Sequence, residues 1–305
     1  MTYDVVKDDG SLESKPLFPD IKEVTPFHKF ISPTGLLNAT QFTQPALTLL
    51  QKAAYEDMRS RGLIQENCAF AGHSLGEYAS LASIGNVLPI ESLVDVVFYR
   101  GMTMQAAVPR DSLSRSEYGM IAVNPSRVGK GFGELPLKFV VESVSKISGK
   151  LLEIVNYNVE NWQYVVSGEL GNLEALSQVL NYLNKEKVNF EKLIETTPLE
   201  EVTKQLEAIV KEGLKRVNDK KVANKGIVEL ERGISTIPLA GIDVPFHSRF
   251  LLSGVGPFRE YLSKRINPNN VDVTLLTNKY IPNLIGQSLL FLFLVVFSMY
   301  LTTTF

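Results

Sequence analysis

The sequence predicts an α/β protein in which a smaller subdomain interrupts a larger core. Three observations carry that prediction. Gly72-His73-Ser74-Leu75-Gly76 is entered by the apolar run Cys68–Ala71 and left by a helix-like segment. Between Tyr118 and Leu183 the pattern runs β-α-β-β-α. Helix-periodic apolar residues flank the first stretch on both sides.

Composition narrows the function classes. The 305 residues carry 31 basic and 33 acidic side chains, a net charge of −2, and so give no electrostatic reason to expect nucleic acid. One cysteine, Cys68, excludes an internal disulfide and fits a reducing, cytoplasmic setting; with three scattered histidines it shows no metal-ligand spacing. Cys68 itself reads as a core residue. Met1 to Lys22 mixes charges and has no apolar h-region, so it is not a secretory signal.

Residues 1–31, with Pro16, Pro19 and Pro26, are expected to form an irregular arm. Thr40 to Arg61 reads as a helix with Phe42, Ala46, Leu49, Leu50, Ala53 and Met58 inward, Pro45 in its first turn and Gly62 at its end. The strand, bend and helix around Ser74 have the form of a nucleophile elbow. Gly72 and Gly76 are expected to let two backbones cross, and the helix after Ser74 offers unpaired N–H groups, Leu75 first, to a developing oxyanion. The alternative reading is a tight structural turn.

A further helix opens at Leu88-Pro89-Ile90 with Leu93, Val97, Arg100 and Met104 on one face. Arg100 on that apolar stripe is read two ways: snorkelling or paired with a protein carboxylate, or holding a substrate carboxylate. Strands are expected at 118–123, 151–157, 163–167 and near 233–239, and helices at 137–147 and 173–183, which together make a split βαβ subdomain. The charged segment 191–225 carries Val202, Leu206, Ile209, Val210, Leu214 and Val217 in helical register and reads as an amphipathic insert on the surface. His247 follows Pro245 in a loop. It is either inert or, since His73 points away from its neighbour, the best general base for Ser74.

These motifs carry a resemblance. Gly-His-Ser-Leu-Gly-Glu-Tyr at 72–78, Tyr-Arg-Gly at 99–101, Asn-Tyr-Asn at 156–158, Gln-Tyr-Val-Val-Ser-Gly at 163–168 and Val-Pro-Phe-His-Ser at 244–248 resemble the malonyl-CoA:acyl-carrier-protein acyltransferases. Residues 32–47 and 279–283 look like the malonyl/palmitoyl transferase region of the fungal fatty acid synthase β subunit in particular. The resemblance implies an α/β-hydrolase-like acyltransferase core (32–115 and 240–285) with an inserted ferredoxin-like subdomain (116–239). It implies Ser74 as nucleophile, His247 as base, Arg100 on the malonyl carboxylate, Leu75 N–H as oxyanion donor and Asn283 as a group orienting the histidine. No metal or redox cofactor is implied. The partners implied are malonyl-CoA, acyl carrier protein and other synthase domains.

Two departures stand out. The family's Gly-Gln-Gly-Ser-Gln loop, source of a second oxyanion donor, has no counterpart here, and loss of such a donor costs about 100- to 1000-fold in rate. The tail 286–305 is uncharged, and Leu289 to Leu301 is apolar except Ser298 and Tyr300. It is read as a membrane contact, a helix covered by another chain, or a truncated gene end.

Overall fold

The computed structural model describes all residues except 1, 8, 10, 17–21, 28–31, 33–34, 85–88, 225, 227, 267–271 and 289–305. The elements in chain order are β1 (Thr2–Val6), β2 (Leu12–Pro16), α1 (Thr40–Ser60), β3 (Phe70–Ala71), α2 (Leu75–Ser83), α3 (Ile90–Ala106), β4 (Tyr118–Val123) and α4 (Glu134–Ser148). They continue with β5 (Leu152–Val159), β6 (Gln163–Glu169), α5 (Leu170–Lys185), α6 (Phe190–Thr196), α7 (Leu199–Ala223), β7 (Thr236–Pro238), α8 (Val255–Arg265) and β8 (Tyr280–Ile281). The chain divides into two units, 1–107 with 253–305, and 108–252.

In the first unit α3 is enclosed by other helices. Leu93 and Val97 meet Ala82 of α2, while Val96, Tyr99 and Met102 meet Phe258 of α8. Tyr99 also stacks on Tyr261 at 3.9 Å between ring centroids. The buried surface of α3 is therefore wider than the single stripe the sequence predicts, and Arg100 lies beside it, half-buried. Gly101 is the contact with α1: a Cβ there would fall 2.5 Å from the Thr40 carbonyl oxygen and 2.7 Å from Gln41 Cα.

The face of α1 is the clearest departure from the sequence reading. Its buried residues are Thr40, Gln44 and Thr48, spaced by four. Leu49, Leu50 and Met58, expected inside, are 52%, 65% and 43% exposed, and Ala46 and Ala53 are exposed too. Periodicity found the helix but chose the wrong side, because α3 presents polar groups to it. Gln105 Oε1 accepts from Thr40 N–H at 3.2 Å, and Gln44 meets Arg100. The helix also starts early enough to put Pro45 in its second turn.

The arm expected over 1–31 is not irregular throughout. β1 and β2 pair antiparallel, with Val6 opposite Leu12. The turn is closed by Asp9, whose carboxylate accepts from Ser11 N–H at 2.9 Å and Ser11 Oγ at 2.6 Å. Asp9-Gly10 is a hairpin signal in the sequence.

β3 and β8 pair in parallel, Phe70 opposite Tyr280. Glu77 fastens the segment after β8: its Oε1 accepts from Tyr280 Oη at 2.9 Å and from Asn283 N–H at 2.7 Å.

The second unit is a four-stranded antiparallel sheet in the order β5-β6-β4-β7. That order and the β-α-β-β-α-β succession are those of a ferredoxin-like fold. Ile121, Val123, Tyr164 and Val166 of the sheet share one core with Leu137 and Val141 of α4 and Leu173, Leu176 and Leu180 of α5. The surface insert expected at 191–225 is two helices, and α7 is part of that core through Val202, Leu206, Val210 and Val217. Gly213 allows its approach to α5, where a Cβ would meet Val179 at 3.0 Å.

Residues 240–252, assigned from sequence to the acyltransferase core, pack within this unit. Arg110 grips Asp243 through two bonds of 2.5 and 2.9 Å, Phe250 lies 4.6 Å from the Tyr118 ring, and Arg249 pairs with Glu153. The tail beyond Ser288 lies outside the described residues. Among the described residues, no helix is long and apolar enough to cross a membrane.

Two outcomes follow. Gly101→Ala forces α1 and α3 apart and should cost about 1–3 kcal/mol in urea unfolding; an unchanged midpoint would refute the close approach. Burial, and secondarily Glu77, push the Tyr280 hydroxyl well above its ordinary range. The folded state thus holds that proton more tightly than the unfolded state, whose tyrosines titrate near pH ~10, and stability falls as pH rises past that value. Tyr280→Phe should flatten the decline in melting temperature between about pH 9 and 11. The same alkaline slope in both proteins would contradict this.

Candidate active site

The site is built from the bend between β3 and α2. A Cβ on Gly72 would lie 2.1 Å from the Gly76 carbonyl carbon and 2.2 Å from its oxygen, so glycine is compulsory at 72. Nothing stands within 4 Å of a Cβ on Gly76, so only one of the two expected glycines is required sterically. The crossing leaves Ser74 at φ 51°, ψ −105°, a conformation that costs a non-glycine residue about 1–3 kcal/mol. Such outliers persist where the surroundings over-determine them.

Ser74-x-x-Glu77 has the spacing of a capping box, but both side chains are used elsewhere. Ser74 caps α2 without a side-chain hydrogen bond to it. Its Oγ accepts from Arg100 Nη2 at 3.1 Å, and its backbone N–H donates to Asn283 Oδ1 at 3.1 Å. Glu77 turns to Tyr280 and Asn283 as described. Leu75 is the first residue of α2, so its N–H has no acceptor in the helix and lies at the positive end of the dipole.

Arg100 reaches this bend from α3. Nη1 donates to Gln44 Oε1 at 2.8 Å, and the guanidinium lies 5.5 Å from the centre of the Tyr78 ring. Desolvation raises the Tyr78 pKa, with Arg100 opposing it, so a neutral phenol faces the cation. A guanidinium has five N–H donors. With one arm on Gln44 and another on the serine, further donors remain for an incoming carboxylate.

Ser74, Leu75, Arg100 and Asn283 are thus together in the first unit. Asn283, expected to orient the histidine, has its side-chain oxygen on the Ser74 N–H. His247 belongs to the second unit. It has a left-handed backbone, φ 62°, in a loop braced by the Arg110–Asp243 pair and by Ser248 Oγ donating to Pro245 O at 2.7 Å. Cys68 is half-buried, not core. Among the described residues no cluster of His, Cys, Asp and Glu could hold a metal ion.

Sequence reasoning missed Gln44, Glu77 and Tyr280. Gln44 could have been found from the polar stripe Thr40, Gln44, Thr48 running alongside the apolar one, and Glu77 from its capping-box spacing. Tyr280 lies in the 279–283 motif, but nothing local gave its hydroxyl a role.

A family model described as an acyl transferase domain matches residues 13–301. The fatty acid synthase subunit beta of Schizosaccharomyces pombe is 54% identical over 287 residues, covering 94% of this chain and 14% of that protein. The subunit of the same description from Saccharomyces cerevisiae is 53% identical over 279 residues, covering 92% and 13%. The chain therefore spans a small part of the curated relatives it matches. FabD from Acinetobacter baumannii shares the fold, with a TM-score of 0.54 and 21% identity over 86% of this chain and 62% of that one. The strained serine at a helix start, the arginine on its oxygen and the family match lead to one conclusion: the chain belongs to the acyl transferase domain family.

Proposed function

We propose that this domain transfers malonyl groups from CoA to the phosphopantetheine thiol of an acyl carrier protein in fatty acid synthesis, through an acyl-serine at Ser74. The observation that carries this reading is the 3.1 Å bond from Arg100 Nη2 to Ser74 Oγ. A cation on the nucleophile's own oxygen suits an acyl group that ends in a carboxylate. A hydrolase of neutral esters has no use for it.

The steps balance without a metal or a redox cofactor. The Ser74 oxygen attacks the thioester carbon as its proton passes to a base, for which His247 is the candidate by resemblance. The oxyanion is held by donors including Leu75 N–H, the C–S bond breaks, and the CoA thiol leaves with the proton. The carrier thiol then attacks the acyl-serine and the sequence runs in reverse. A carboxylate salt-bridged to Arg100 fixes the acyl group against misdirected attack by water.

By the chain's resemblance to the malonyl/palmitoyl transferase region, the same route would also carry a second acyl group, palmitoyl, to CoA. The fatty acid synthase relatives support other synthase domains as partners, and the setting proposed is cytoplasmic.

Arg100→Ala tests the reading. It should lower kcat/KM for malonyl-CoA about 100-fold while leaving acetyl-CoA within a few-fold of the unaltered chain. Equal losses for both donors would reject a carboxylate-binding role.

A further inference from the structure

We infer that Gln44 is a positioning residue: it anchors the Arg100 guanidinium and so sets the preference for carboxylate-bearing acyl groups. This deepens the function proposed above and rests on it.

Gln44 is 4% exposed, at the middle of the polar face of α1. A buried amide is costly unless both its ends are bonded, and both are. The guanidinium offers no acceptor, so the atom facing it must be the amide oxygen. Oε1 accepts from Arg100 Nη1 at 2.8 Å, while Nε2 donates to Thr40 Oγ1 at 2.8 Å and lies 3.6 Å from Met104 Sδ. Thr40 is itself fixed, because its N–H donates to Gln105 Oε1 at 3.2 Å. The missing side chain at Gly101, next to Arg100, lets the two helices come close at this point. The amide is therefore held from behind, and one arm of the arginine is held by the amide.

The neutral character of the anchor matters as much as its place. A carboxylate at position 44 would form an ion pair with Arg100 and compete with an incoming carboxylate for the same cation. An amide restrains the guanidinium and leaves its charge available. A long arginine with no such anchor samples many rotamers, and a misplacement of 1 Å at a reacting centre is costly. Binding of the malonyl carboxylate is common to ground and transition states, so its loss appears mainly in KM.

The test uses the full chain and two near-isosteric variants, with malonyl-CoA and acetyl-CoA as donors and acylation of Ser74 as the readout. Gln44→Met removes the anchor and should raise KM for malonyl-CoA about 10-fold, with acetyl-CoA within about 2-fold. Gln44→Glu keeps the reach but neutralises the cation, and its malonyl KM should rise further, to about 30-fold or more. A purely structural role would lower both donors together and reduce the melting temperature. That result, or an unchanged malonyl-to-acetyl ratio in Gln44→Met, overturns the inference while leaving the proposed function intact. If the unaltered chain takes neither acyl group, the proposed function fails and this inference fails with it.

Discussion

The constraint on which the first unit depends is the crossing of Gly72 over the carbonyl of Gly76, closer than any Cβ would allow. That contact bends the chain so sharply that Ser74 adopts a conformation few side chains tolerate. The bend in turn decides where α2 begins, and so where the positive end of its dipole lies and which N–H, that of Leu75, is first in line. Nothing in the chemistry of serine makes it a nucleophile at neutral pH. In the reaction proposed here its surroundings would have to do so, and the bend that sets them rests on a steric requirement two residues away.

A second constraint acts through charge. Arg100 is half-buried between helices, and a desolvated cation must have acceptors or opposing dipoles around it. Gln44, the ring of Tyr78 and the Ser74 oxygen supply them. The demand is strong enough to reverse the amphipathic sense of α1, whose polar stripe is inside and whose leucines face out. Glu77 works on the same scale. By holding Tyr280 and Asn283 it brings a segment from the far end of the chain onto the Ser74 N–H. In the second unit the Arg110–Asp243 pair braces the loop of His247 in a similar way, with two charged groups fixing a strained backbone.

Much of this was legible in the sequence because it is local. The Gly-x-Ser-x-Gly bend and the strand–helix alternation of the second unit follow from residues close together in the chain. The helix at 40–61 was legible as a helix, but its buried side was not. Periodicity records spacing, whereas the buried side was chosen by Arg100 and Gln105, about sixty residues further on. The hairpin at 2–16 was hidden by charged flanks although Asp9-Gly10 marked its turn. Gln44, Glu77 and Tyr280 act through contacts separated by 56 to 206 positions, which no window of sequence contains. Arg100 was visible as a charge on an apolar stripe and as the centre of the Tyr-Arg-Gly motif, and the structure gives it its neighbours.

The central claim is that this bend carries an acyl group on Ser74. Its most direct measurement is mass spectrometry of the purified chain after brief exposure to malonyl-CoA, first intact and then as peptides. The account predicts a single malonyl group, on the peptide containing Ser74 and absent from Ser74→Ala. A folded chain that takes up no malonyl group, or one labelled at another residue, would contradict it.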